Sequence, residues 1–266
     1  MNLILSVAAG YNWRQLNVFV KSLRKYYNDK ALLILNNIDL ELKKNLQKFS
    51  IDYIVDRNII PSDSYQSRYK LYYDYLNSNK KNNYNNVLIT DSRDVFFQNN
   101  PFSFFYNNKL NFFLENELIK NSSVNSKWIS RTVGKKFLKN LKNNYISNCG
   151  QIIGEYQHVL NYCNEMDRNI FLFKYKPSFH SIIFKRKINA WDQGIHNYLV
   201  YSNILKNIGF YSNKEGNVAN LCFNKNFNFN SSKKLINDRG YEYSIVHMYD
   251  RFINYFDKIV SEIEKL

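Results

Sequence analysis

Over the first ninety residues of this 266-residue chain, short apolar runs alternate with segments of helical periodicity. "LILSVAA", "ALLILNN", "IDYIV" and "VLIT" have the length and composition of buried strands. Between the first two, residues 13 to 27 place Leu16, Phe19, Val20, Leu23 and Tyr27 at helical spacing. "DLELKKNLQKF" predicts a second helix, with Asp39 at its cap position. "PSDSYQSRYKLYYDYLNSN" predicts a third, opened by Pro61 and Ser62, with Tyr65, Tyr69, Tyr72 or Tyr73, and Leu76 along one face. Strand–helix repeats of this length build parallel βαβ units, so the fold class expected is α/β.

After residue 100 the alternation weakens. "LNFFLEN" predicts a strand, and residues 131 to 145 a basic helix with Phe137, Leu138 and Leu141 turned inward. "NCGQIIGE" reads as a turn followed by a short strand or a helix start. Residues 155 to 173 and "DQGIHNYLVYSNIL" predict helices, and a helix near 250 to 265 closes the chain. With 8 Gly, 3 Pro and no internal repeat or linker, a single domain over residues 1–266 is expected.

The composition permits a sizeable core, at 45% hydrophobic and 17% aromatic residues. Lys and Arg number 37 against 22 Asp and Glu, a net charge of +15 that attracts polyanions without choosing among them. Cys149, Cys163 and Cys222 are too few and too irregular for a disulfide framework or a zinc site, which fits a reducing compartment. "MNLILSVAAGYNW" has no charged leader region and reads as a first core strand. No run approaches the roughly 20 apolar residues that span a bilayer, so a cytoplasmic location is expected. The sequons at Asn121 and Asn230 carry little weight without a secretory route.

One stretch breaks the pattern of a simple core strand. In "VLITDSRDVFFQ" the apolar run from Val87 to Thr90 meets Asp91, Ser92, Arg93 and Asp94 before a second apolar run begins. In open α/β sheets ligands sit at the carboxyl ends of strands. Two carboxylates there repel one another, and a cation between them removes that cost. Mg²⁺ or Mn²⁺ prefers such oxygen ligands and keeps positions open for phosphates. The plain alternative is that Asp91 caps the next turn and Asp94 pairs with Arg93 or another base.

"LITDSRDVFFQNNPF" resembles the acidic-motif region of nucleotide-sugar-dependent glycosyltransferases of the GT-A fold. "SRYKLYYDYL" resembles the Arg-bearing helix before that motif, and "SNCGQIIGE" the segment lining the donor sugar. "AWDQGIHNYL" is similar to the acidic, helix-opening segment near the acceptor, and "IVHMYDR" to the late histidine segment. The pieces cover roughly residues 3 to 251. One departure stands out: the family's acids lie two apart, whereas Asp91 and Asp94 lie three apart.

The resemblance implies a Rossmann-like mixed central sheet flanked by helices, with a nucleotide-binding half over about 1–105 and an acceptor-side half over about 106–266. It implies a UDP-sugar or similar donor, a glycan, lipid-linked or protein acceptor, and Mn²⁺ (or Mg²⁺) as cofactor. Asp94 and His247 would ligate the metal, and Asp91 would ligate it or face the ribose or a metal-bound water. Ala8, Ala9 and Gly10 would let a base approach, Tyr11 would stack on it, and Arg68 and Ser92 would line the nucleotide. Gly150 would admit the donor sugar, and Asp192 would act on the acceptor side as a base or a positioning group. Each has an ordinary alternative: a packed strand-turn, a surface salt bridge for Arg68, a turn glycine, a helix N-cap for Asp192, a core histidine. The basic helix with Arg131, Lys135, Lys136, Lys139 and Lys142 is ordinarily a solvated face. Its sharper reading is a contact for an anionic membrane or a lipid-diphosphate acceptor.

Three rivals remain at this level. A nucleic-acid-binding protein fits the charge, but no nucleic-acid motif is present and the aromatics fall at core spacing. A phosphotransferase or phosphohydrolase lacks a P-loop here. A sugar-binding, inactive member of the same fold would keep the site without transfer.

Overall fold

The computed structural model describes residues 1–174, 191–224 and 226–266. Its centre is a seven-stranded mixed sheet. Strands β1 (Leu3–Val7), β2 (Lys30–Leu35), β3 (Asp52–Val55) and β4 (Asn86–Thr90) are parallel and alternate with helices α1 (Trp13–Tyr26), α2 (Leu40–Lys48) and α3 (Ser64–Ser78). β5 (Val95–Phe97) then leaves the sheet. β6 (Leu110–Leu118), α4 (Ser123–Thr132), α5 (Lys135–Leu141), β7 (Tyr145–Glu155), α6 (Tyr156–Lys174), α7 (Trp191–Tyr201) and β8 (Ile208–Tyr211) follow. The strand order is β3-β2-β1-β4-β7-β6-β8, with β7 antiparallel to both of its neighbours.

The sequence pattern explains why both faces are covered. Successive strand residues point to opposite faces. Leu3, Leu5, Val87 and Ile89 pack with Tyr69, Tyr72 and Tyr162 on the side of α3 and α6. Ile4 and Leu88, between them in the chain, pack with Leu16, Phe19 and Leu42 on the side of α1 and α2. Each such fully buried side chain contributes about 1.5–3 kcal/mol relative to exposure. Local chemistry starts the helices where expected: Asn12 and Gln15 form a reciprocal capping box on α1, and Asp39 Oδ1 accepts from Leu42 N at 2.7 Å on α2.

A smaller sheet carries the C-terminal part, formed by β5, β9 (Val218–Asn220) and β12 (Ile245–His247). β12 lies between the others, with His247 opposite Val95 on one side and Asn220 on the other. A hairpin of β10 (Asn228–Phe229) and β11 (Leu235–Ile236) and the terminal helix α8 (Ile253–Glu264) complete the described residues.

Two expectations are corrected. Residues 131 to 145 are not one helix: Gly134, at φ 99°, separates α4 from α5, and Tyr145 already belongs to β7. Phe137, within α5, is exposed, although Leu141 on the same helix is buried. "NCGQIIGE" lies wholly within β7, an eleven-residue strand whose interior is buried on both faces. Among the described residues no helix is long and apolar enough to cross a membrane.

Candidate metal centre and cavity

The order of the parallel strands reverses between β1 and β4, and such a switch point opens a crevice at the strand carboxyl ends. A cavity of about 670 Å³ lies there, lined by Tyr11, Arg68, Asp91, Glu115, Gly150 and His247 among others. Its floor is the bend that links β4 to β5. Asp91 N donates to Gly150 O at 2.8 Å, fastening the start of the bend to β7. Met248 N donates to Asp94 O at 2.7 Å, fastening its end to the residue after β12.

These two backbone ties resolve the unusual spacing of the acids. Along a straight strand, residues three apart point to opposite faces. The bend instead brings one ligand atom each from Asp91, Asp94 and His247 within 4.8 Å of one another. His247 Nε2 is 3.5 Å from Asp91 Oδ2 and 3.6 Å from Asp94 Oδ1.

The donor chemistry fits a divalent cation. Asn220 Nδ2 donates to Phe113 O, which leaves Asn220 Oδ1 to accept from His247 Nδ1 at 3.0 Å. The imidazole therefore turns Nε2 toward both carboxylates. A bare lone pair facing two anions is unfavourable, so that position calls for a proton or a metal ion.

The charges within the cluster are unequal. Burial pushes Asp91 upward, but the Arg68 guanidinium and hydrogen bonding to His247 outweigh it and hold the carboxyl at about 2. Asp94 is raised by burial and, further, by the negative charges of Asp91 and Asp250, against the pull of His247. Burial lowers His247, yet Asp94 and Asp91 together raise it above its ordinary value.

Arg68 is the hub beside this cluster and not a surface salt bridge. It projects from α3, is 9% exposed, and joins Asp91 Oδ1 through Nη1 and Asp192 Oδ2 through Nη2, the latter at 2.9 Å. Asp192 stands in the first turn of α7, where Oδ1 accepts from Gln193 N at 2.7 Å. Gln193 in turn bonds Ser147 O and Cys149 N, so α7 is latched to β7.

The other expected residues divide. Tyr11 and Ser92 line the cavity; Ser92 is buried, and its Oγ has no hydrogen-bond partner among the described residues. Ala8 and Ala9 are packed in the core on opposite faces of the sheet, and Gly10 donates to Asn36 Oδ1 at 2.7 Å. None of these three lines the cavity; Val7 does instead. Gly150 is a mid-strand residue and not a turn glycine. A Cβ there would lie 2.6 Å from Asp91 Oδ2 and 2.7 Å from His247 Cε1, so the absence of a side chain makes room for the cluster. Arg131, Lys135, Lys136, Lys139 and Lys142 do not line the cavity.

Sequence reasoning missed Glu115; its partner Asn148 lies in "SNCGQIIGE", the segment expected to line the donor sugar. Both are buried and line the cavity, and Asn148 Nδ2 donates to Glu115 Oε1 at 2.7 Å. The signal was present: an acid inside the apolar run "LNFFLENEL" is the same anomaly that singled out Asp91. No family model matches the chain, and no curated protein matches it.

Proposed function

We propose that this chain is a metal-dependent glycosyltransferase of the GT-A type, taking a sugar from a nucleoside-diphosphate donor, most simply a UDP-sugar. The observation that carries this reading is the Asp91–Asp94–His247 cluster on the floor of a cavity at the sheet's switch point. A cavity of about 670 Å³ falls in the range that holds a small-molecule ligand. A strand-end carboxylate pair facing such a cavity is suited to a metal-bound diphosphate.

Asp91, Asp94 and His247 would hold the ion, Mn²⁺ in preference to Mg²⁺. When bound, it supplies positive charge against the negative charge that builds on a departing diphosphate. The protein's own residues supply the rest. Tyr11 offers a ring at the cavity wall for the nucleotide base. Arg68 keeps Asp91 ionised and oriented. Asp192, with Oδ2 held by Arg68 and Oδ1 by Gln193 N, anchors Arg68 and so acts here as a positioning residue. The acceptor is a glycan, a lipid-linked glycan or a protein. The exposed Lys135, Lys136 and Lys139 of α5 suit an anionic membrane beside such an acceptor.

The test is a panel of nucleotide-sugars assayed for hydrolysis with and without Mn²⁺, repeated with Asp94→Ala. Metal-dependent turnover of one donor, abolished by the substitution, is expected. No nucleotide binding and no effect of metal would remove the reading. Metal-dependent release of inorganic phosphate from a nucleotide, without sugar release, would move the site to a phosphohydrolase.

A further inference from the structure

Glu115 is a buried carboxylate without an ordinary structural reason. It lies on β6, is 6% exposed, and forms no ion pair among the described residues. An isolated buried carboxylate is costly, and such groups concentrate at functional sites. Asn148 is its one hydrogen-bond donor among the described residues. Asn148 is itself fixed, because its Oδ1 accepts from Gly150 N at 2.7 Å, and Nδ2 is thereby aimed at Glu115 Oε1. This holds the carboxylate in one orientation and leaves Oε2 to the cavity that Glu115 lines. Asp91 and Asp192 differ: each is charge-paired with Arg68. A carboxylate engaged with a guanidinium is a weak proton acceptor.

We infer that Glu115 is the catalytic base that takes the proton from the attacking hydroxyl, an assignment that rests on the glycosyltransferase reading above. The acceptor oxygen forms its bond to the anomeric carbon as the bond from that carbon to the diphosphate oxygen breaks. The electron pair of that bond leaves on the diphosphate, and the hydroxyl proton passes to Glu115 Oε2. Burial also raises the Glu115 carboxyl above its usual range, against the pull of Asn148, His247 and Arg251, which favours proton uptake. A base distinct from the leaving group makes a single displacement with inversion the consequent stereochemistry.

Glu115→Gln keeps the shape and an acceptor for Asn148 while removing the basic oxygen. Wild-type and variant protein are compared for UDP binding with Mn²⁺ by calorimetry, and for turnover of a UDP-sugar panel in buffer containing methanol as a small acceptor. Unchanged UDP affinity is expected, with turnover lower by about 100-fold or more, the scale of a lost general base. Glu115→Ala should regain part of its rate with added formate. The methyl glycoside formed by the wild-type protein should have the opposite anomeric configuration to the donor, read by NMR. Full turnover by Glu115→Gln, or a methyl glycoside of retained configuration, overturns the base assignment and leaves the donor reading standing. UDP binding with no turnover of any donor overturns the base assignment together with the transfer reading and leaves a nucleotide-binding site without transfer. Failure of the wild-type protein to bind UDP or any other nucleoside diphosphate overturns both.

Discussion

The amide oxygen of Asn220 lies 3.0 Å from His247 Nδ1 and thereby decides which ring nitrogen faces Asp91 and Asp94. The two residues sit side by side on paired strands, so the orientation is built into the small sheet. Residues that orient a ligand from behind commonly control metal affinity by 10- to 100-fold. Asn220→Ala should therefore weaken Mn²⁺ binding by about that factor. Calorimetric titration with Mn²⁺ checks it; an unchanged affinity would show that the ring needs no such support.

The cluster predicts a metal-dependent stability. A ligand that binds only the folded state at 100 times its dissociation constant adds about 2.7 kcal/mol. Wild-type protein should gain about this much at that Mn²⁺ concentration and lose it on chelation. Asp94→Asn replaces one of the three residues of the cluster and should gain almost nothing. Denaturant titrations with Mn²⁺ and with EDTA distinguish the cases, and equal gains in both proteins would place the ion elsewhere.

Arg68 predicts an asymmetric pair of mutants. The Arg68 and Asp192 side chains are 11% and 6% exposed, so removing one leaves the other buried and unpaired. Arg68→Met should cost about 3–5 kcal/mol, the range for breaking a buried pair from one side. Arg68→Met combined with Asp192→Asn should recover part of that loss, because Asp192 is then neutral while Asp91 still lacks its guanidinium partner. A double-mutant cycle in urea measures it; additive losses would mean that the two residues do not depend on each other.

The parts that were legible in the sequence, and those that were not, follow from how each residue signals itself. β1 to β4 and their helices were readable because period-2 and period-3.6 patterns repeat cleanly through residue 90. Asp91 and Asp94 stood out because charge ended an apolar strand. β7 does not announce itself in the sequence because Gly150 looks like a turn residue, whereas its missing side chain clears space that Asp91 and His247 occupy. That reason exists only once three distant segments meet. The basic segment reads as one long helix because lysines carry no stop signal of their own, and the break at Gly134 depends on a positive φ that the sequence does not display. Arg68 looked like a surface residue because its partners, Asp91 and Asp192, are 23 and 124 positions away.

Gly150 itself supplies a sharp test. Gly150→Ala would put a Cβ within 2.6 Å of Asp91 Oδ2 and 2.7 Å of His247 Cε1, closer than such atoms pack. Both neighbours belong to the candidate metal cluster, so they must separate to admit it. Mn²⁺ affinity should fall by at least 10-fold, comparable to losing an orienting partner, while β7 remains paired on both sides. Retained metal affinity in a folded variant would mean that the cluster yields without cost.

The pH dependence of stability has a separate origin in His196, far from the metal ligands in sequence and fully buried on α7. Its ring nitrogens meet Ser147 Oγ at 2.8 Å and Tyr162 OH at 2.7 Å, and no described carboxylate pairs with it. Burial, reinforced by the positive charge of Arg68, lowers it to about 3. The unfolded chain takes up this proton near pH 6.5, and the folded chain does not until about pH 3. In that window the unfolded state binds more protons, so acid favours unfolding. Stability from this group is complete above about pH 6.5 and falls by up to about 1.4 kcal/mol per pH unit below it. His196→Asn cannot titrate, so its stability should decline less steeply between pH 6.5 and 4 than that of the wild-type protein, whatever its absolute stability. Urea unfolding at a series of pH values reads the two slopes, and parallel curves would show that His196 already carries its proton when folded.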